Sequence, residues 1–159
     1  MALVDSVFYE DKYGGNAIDD ELFDRLYRKA ENILNRMTFG RICAVDGVYG
    51  QRILYCTHEE FEAFTEEELA ALKYGMCSLM EAVMKLENAE QQALAGNSSS
   101  ANVKSRSSGG ESVSYESRKT AYDEALTSST KREELFRDAL MEYMQPCIFR
   151  HNPFYAGSR

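Results

Sequence analysis

The stretch Thr65-Glu66-Glu67-Glu68-Leu69-Ala70-Ala71-Leu72, continued by Met76, Leu79, Met80, Val83, Leu86 and Ala93, decides the fold. Thr65 with Glu68 three residues on forms a capping box, in which each side chain satisfies the other's backbone amide at the start of a helix. Phe64 and Leu69 stand at the staple positions around it. From there apolar residues recur at helical spacing, with Asn88, Glu90 and Gln91 polar, and Gly96-Asn97 ends the run. Unbroken from Glu66 to Leu94, such a helix is about 44 Å long at roughly 1.5 Å per residue. A compact domain of this chain's length has a radius of gyration near ~15 Å. The helix therefore crosses the whole domain and protrudes, and a protruding apolar stripe wants a partner.

Working outward, Leu22, Phe23, Leu26, Tyr27, Ala30, Ile33, Leu34 and Met37 predict an amphipathic helix from about Asp19 to Met37. Asp19 is its N-cap, Ile18 and Phe23 its staple, and Gly40 its end. Asp20, Asp24, Arg25, Arg28 and Glu31 fill the wet face. Residues 41–58 hold Asp46-Gly47 between two apolar runs, which reads equally as a β-hairpin or as an ordered loop. Residues 97–110 are polar, six of the fourteen being serine, and read as a mobile loop. Glu111 to Tyr115 alternates with period two, like a short strand. Lys119 to Leu126 predicts a short helix. Thr130-Lys131-Arg132-Glu133 is a second capping box opening a helix with Leu135, Phe136, Ala139, Leu140 and Tyr143 on one face, stopped by Pro146. The aromatic stretch Cys147 to Tyr155 reads either as a tail folded back on the core or as a segment that orders on a partner. The fold class is mostly α: a small helical bundle with a long central helix, a mobile loop and short β-strand or hairpin elements. Residues 1–145 form a single domain, with 97–116 as flexible loop and short strand, and 146–159 form a C-terminal docking tail.

The chain has 159 residues, the size of one domain, and 44% are hydrophobic. Eighteen basic against 26 acidic residues give a net charge of −8, so a global nucleic-acid footprint is absent. No apolar run approaches the roughly 18 residues of a membrane helix. The opening Met1-Ala2-Leu3-Val4-Asp5 lacks a basic region before an apolar one, so secretion is not expected. Cys43, Cys56, Cys77 and Cys147 form no C-x-x-C and are read as reduced, mostly buried side chains in a cytosolic setting. No phosphate-binding glycine loop and no nucleophile elbow occurs, and Tyr13-Gly14-Gly15-Asn16 reads as a turn. Glu59, Glu60, Glu62, Glu66, Glu67 and Glu68 read as a solvated acidic face. Cys43 or Cys77 with His58 would make a nucleophile pair only if the fold joined them. Ser114 and Tyr115 have no visible base. No enzyme, cofactor or metal is expected.

The order Phe8-Tyr9-Glu10-Asp11-Lys12-Tyr13-Gly14-Gly15, Phe23-Asp24-Arg25-Leu26, Thr38-Phe39-Gly40-Arg41-Ile42, Gly110-Glu111-Ser112-Val113-Ser114-Tyr115 and a last helix over Glu133–Met144 resembles the head–tail connector (adaptor, or head-completion) proteins of long-tailed bacteriophages. Gly109-Gly110-Glu111 departs from the G-D-Y usual in that family before S-V-S-Y. The resemblance implies a non-catalytic virion protein without cofactors. Its subunits would form a ring, typically twelvefold, beneath the portal protein at the head–tail interface, after assembly in the host cytoplasm. The ring would extend the DNA channel and meet the next head-completion or tail protein, with no membrane involved.

An acidic subunit suits a channel through which double-stranded DNA passes without specific binding, since Lys and Arg facing the duplex would hold its phosphates. Ring subunits meet through two different faces. On the resemblance, the loop and strand over 103–115 lie toward the channel or pair with a neighbouring subunit. Lys104, Arg106, Glu111, Ser112, Val113, Ser114 and Tyr115 are their candidate residues. Ile148, Phe149, Phe154 and Tyr155 are the candidates for docking on the portal. The competing reading is an acidic helical regulatory module, inhibitor-like and without enzymatic activity, whose surface mimics nucleic acid. A third, a small hydrolase, requires a pocket joining His58 to Cys43 or Cys77. If the tail serves docking alone, truncation after Gln145 leaves the monomer folded and abolishes portal attachment, which portal pull-down of the truncated chain measures.

Overall fold

The computed structural model describes residues 2–54, 59–96, 105–108, 111–114 and 120–154. Along the chain run a π-helical turn Phe8–Tyr13, α1 Asp20–Met37, β1 Ile42–Val45, β2 Val48–Leu54, β3 Glu59–Ala63, α2 Glu66–Gly96, β4 Ser105–Ser108, β5 Glu111–Ser114, α3 Ala121–Thr127 and α4 Ser129–Met141. The protein is mostly helical, with a three-stranded sheet ordered β1-β2-β3 and a separate β4-β5 pair, all antiparallel. It divides into two compact units, Met1–Val83 with Phe136–Arg159, and Met84–Leu135.

In the first unit α1 starts as its sequence dictates. The Asp19 carboxylate accepts from the Leu22 amide at 2.8 Å, satisfying one of the donors a helix start leaves open. Phe23, Leu26, Tyr27, Ala30 and Leu34 form its buried face. The Tyr27 hydroxyl accepts from the Leu3 amide at 2.9 Å and donates to Glu31 at 3.3 Å, which pins the N-terminal segment to α1.

The end of α1 holds a surprise. Gly40 N–H donates to the Asn35 carbonyl at 2.7 Å and Phe39 N–H to the Arg36 carbonyl at 3.3 Å. These are the two bonds of a Schellman motif, whose left-handed position usually falls to glycine. Here that position is Phe39, at φ 56°, and its side chain is 60% exposed. Left-handed backbone costs an L-residue about 1–2 kcal/mol. Gly40, read as the helix stop, sits one residue beyond that position, itself at φ 67°.

Residues 42–54 form the hairpin alternative. Val45 pairs with Val48 across Asp46-Gly47, and both turn residues have positive φ, 50° and 81°, which marks the type I′ turn that matches strand twist. The sheet gains a third strand from residues read as a solvated acidic face. Glu59 to Ala63 pairs with Leu54 to Gly50 and keeps most of its side chains exposed. Tyr55, Cys56 and His58 lie outside the described residues.

The α2 start closes its capping box in both directions: Thr65 N–H to Glu68 Oε2 at 2.8 Å, and Glu68 N–H to Thr65 Oγ1 at 3.2 Å. The expected apolar stripe is only part of the pattern. Ala71, Leu72, the run Gly75 to Met80, Ala82 and Val83 are all buried, and a helix buried all round needs cover on every side. Cover comes from several directions. Tyr9 donates to Glu81 at 3.4 Å, the Tyr74 ring stacks on Tyr143 at 5.6 Å, and Ser78 donates to Glu142 at 3.3 Å. A Cβ on Gly75 would stand 2.7 Å from Cγ of the buried Met144, so only glycine admits this approach.

In the second unit α2 runs out from Met84 to Gly96; Leu86 is buried, whereas Gln91 to Ala95 are exposed, Leu94 at 71%. The short helix α3 has its own capping box, Thr120 N–H to Asp123 at 2.7 Å and Asp123 N–H to Thr120 at 3.2 Å. The second box read from sequence falls elsewhere. Helix α4 begins at Ser129, and Ser128 Oγ accepts from the Lys131 amide at 3.4 Å, so Ser128 caps it and Thr130 does not. Arg132 ties this unit together, bonding the Ala125 carbonyl at 3.3 Å and Glu90 at 3.5 Å. The stretch read as loop contains a strand, because Ser105–Ser108 pairs with Glu111–Ser114.

Phe39→Gly relieves the left-handed strain without removing a buried contact. It is expected to stabilise the chain by about 0.5–1 kcal/mol, and thermal denaturation checks this.

Candidate docking surfaces

The C-terminal stretch is bound into the first unit. After α4, Met144 is fully buried and Ile148 N–H closes a turn on the Gln145 carbonyl at 3.0 Å. Ile148 is half-exposed. Phe149 is 5% exposed, with its ring edge-on to Phe64 at 5.7 Å. Pro153 is fully buried, and Phe154 is half-buried behind an Asx turn in which its amide donates to Asn152 at 2.9 Å. Tyr155 lies outside the described residues. Of the four docking candidates, Ile148 and Phe154 present surface, and Phe149 is interior.

Arg150 fastens this stretch. Its backbone amide donates to Glu68 Oε1 at 2.7 Å, its Nη2 to Glu68 Oε2 at 3.0 Å, and its Nε reaches both carboxylate oxygens at 3.3 Å. The same Nη2 also donates to the Ala63 carbonyl, and Nη1 lies 3.6 Å from Glu62. His151 Nε2 is 3.5 Å from the same Glu62 oxygen. Glu68 is therefore not part of a solvated acidic face. Its side chain is 3% exposed and takes bonds from Thr65 and Arg150. Burial alone pushes its carboxyl up, but the Arg150 side chain and amide, the Thr65 amide and the Arg150 charge outweigh it and hold it at about 2. Sequence reasoning found Glu68 as a capping residue; nothing in the pattern marks Arg150 as its partner.

The other candidate segment is the β4-β5 hairpin, in the second unit. Arg106 pairs with Val113, Ser107 with Ser112, Ser108 with Glu111 and Ser105 with Ser114. Lys104 and Tyr115 lie outside the described residues. Among the described residues each strand has one sheet partner, and a sheet edge is a place where a further strand can pair.

An aromatic cluster escaped the sequence reading. Tyr9, Tyr13, Tyr74 and Tyr143 contact one another through ring centroids 5.6–6.4 Å apart, and Phe8 and Phe23 join at 5.5 and 6.1 Å. The Tyr residues come from three separate segments, so periodicity within any one could not show it. Burial and then the Glu81 charge push the Tyr9 hydroxyl up to about 12, and act in the same direction on Tyr13. Cys77 is held at about 12 by burial and then Glu81, so its sulfur is a thiol at neutral pH and a poor nucleophile. Cys43 is half-exposed, and Cys147 is exposed rather than buried. Among the described residues no group of His, Cys, Asp or Glu is arranged to hold a metal ion, and no helix is long and apolar enough to cross a membrane.

No family model, no curated protein and no solved structure matches this chain.

Glu68 carries a folded-state pKa near 2 against an ordinary 4.5. Its contribution is thus present above pH 4.5 and is lost as pH falls from there towards 2. Glu68→Gln keeps the shape but not the charge. It is expected to cost about 1.5–3 kcal/mol at neutral pH, and to flatten the acid limb of stability between pH 4.5 and 2, as read by urea denaturation across that range.

Proposed function

We propose that this chain is a structural subunit of the bacteriophage head–tail connector class, a mostly helical bundle around α2 that joins a ring beneath the portal. The observation that carries the reading is an order of elements that follows the order of the resembling motifs. The segment Glu111-Ser112-Val113-Ser114 is a strand placed after the long helix and before α3 and α4. Burial of α2 all round over the run from Gly75 to Met80 supports its central place in the bundle. Exposure of Leu94 near its end supports a surface that a neighbour covers. The net charge of −8 suits a wall that double-stranded DNA slides past. The virion, at the head–tail interface, is the corresponding location, with portal and a downstream head-completion or tail protein as partners. The same charge equally favours the second reading, an acidic helical regulator without enzymatic activity.

Electron microscopy of this protein mixed with the portal of the same genome tests the choice. The connector reading expects a closed ring of density under the portal, and the regulator reading expects bare portals. Truncation after Gln145 is not a clean test of the tail. It removes the buried Phe149 and Pro153 and the partner of Glu68, and loss of a buried Phe alone costs about 3–5 kcal/mol. The informative variant is Ile148→Ser with Phe154→Ser. It is expected to stay folded, by circular dichroism, and to lose portal capture in pull-down; undiminished capture would remove these two side chains from the docking surface.

A further inference from the structure

We propose that the patch around Phe39 binds a second copy of this chain, head to tail, at the acidic end formed by the π-helical turn and the start of α1. Phe39 bears two costs at once: a left-handed backbone at a position glycine would fill freely, and 60% exposure of a large apolar ring. The ring stands at the edge of a cavity of about 160 Å3, lined also by Met37, Arg137, Met141, Pro146 and Phe154. That space suits one apolar side chain.

Charge selects the occupant. Arg137 lines this cavity, and Arg36 and Arg41 flank Phe39 in the chain; Arg36 and Arg137 are exposed and Arg41 is half-buried, and among the described residues none of the three is in an ion pair. On a protein of net charge −8 this gathers three cations, with the exposed Asp138 beside Arg137. Across α1, 18 residues or about 27 Å away, the signs reverse. Asp20, Glu21 and Asp24 are exposed there and, among the described residues, also outside any ion pair. Glu10 and Asp11 join them from the π-helical turn, which Tyr9 holds to α1 through Phe23 at 6.1 Å, with Lys12 lying among them. The acids also complement the α1 dipole, but that role leaves their outer faces free. A basic apolar patch at one end and an acidic one at the other make a heterologous contact, in which each copy gives one face and receives the other. The half-buried Ile18 and Leu22 at the acidic end supply apolar side chains to meet Phe39. This deepens the ring reading by naming the faces that meet.

Sedimentation velocity of the full chain tests it, at about 0.01 M ionic strength, where screening extends about 30 Å. Concentration-dependent association below about 1 mM is expected, weakening as salt rises. Phe39→Gly, with unchanged or higher thermal stability, is expected to weaken association about tenfold, as loss of an apolar anchor does. Arg137→Glu and Glu21→Arg are each expected to reduce it, and an equimolar mixture of the two variants is expected to restore association, with the two variants alternating. A wild-type chain that stays monomeric at ~1 mM overturns the proposal, as does Phe39→Gly associating like wild type or a mixture that recovers nothing. Retention of a 20-base-pair duplex that Arg137→Glu abolishes, without change in self-association, would also overturn it and assign the patch to nucleic acid. Portal capture reads separately: Phe39→Gly that still forms full rings on portal refutes this interface but not the connector reading. Salt-sensitive, Phe39-dependent association with no portal capture does the reverse.

Discussion

One carboxylate holds three parts of the first unit in register. Glu68 is nearly inaccessible to water, yet it is ionised, because the amide of Thr65 and the side chain and amide of Arg150 converge on it. A buried charge is tolerated only when it is paired and hydrogen-bonded. Here the pairing is also the wiring. Glu68 opens α2, Arg150 belongs to the C-terminal stretch, and the same guanidinium reaches the Ala63 carbonyl at the end of β3. Residues 82 apart in the chain are thereby fixed to each other.

That anchoring gives the C-terminal stretch its character. Phe149 and Pro153 fill the interior, while Ile148 and Phe154 keep exposed surface. The stretch is thus a folded element with an outward face, as the folded-back reading of the sequence has it. The turns around it obey the same logic. Gly75 lets Met144 come close to α2, and the tyrosines of the π-helical turn, α2 and the end of α4 stack where those segments meet.

Local signals were legible where a few neighbouring residues set the outcome. The Asp19 cap, the Thr65–Glu68 box and the Asp46-Gly47 turn each depend on contacts within a handful of positions. Legibility failed where the deciding partner is remote. Glu68 looked like one acid among six because Arg150 lies far along the chain. Residues Glu59–Ala63 looked like a wet acidic run because a strand with exposed side chains carries no apolar alternation, and only pairing with β2 makes it one. Thr130 looked like a cap because it begins the same pattern as Thr65, but Ser128 takes the bond first. Phe39 was hidden because the Gly beside it suggested an ordinary helix end. Of the candidate site, the tail and the Ser112-Val113-Ser114 strand were visible in sequence; the basic patch and its acidic counterpart emerge only once α1 separates them.

The C-terminal stretch presents Ile148 and Phe154 on a firm base. The base itself depends on Arg150 being seated. Native-state hydrogen exchange followed by NMR reads that seat directly, through the Arg150 amide that donates to the buried carboxylate. If Glu68 holds the stretch, the Arg150 amide exchanges far more slowly than that of an unstructured peptide, at neutral pH in the isolated chain. Exchange at the unstructured rate, with α2 amides still protected, would mean that the stretch is free and would contradict the account.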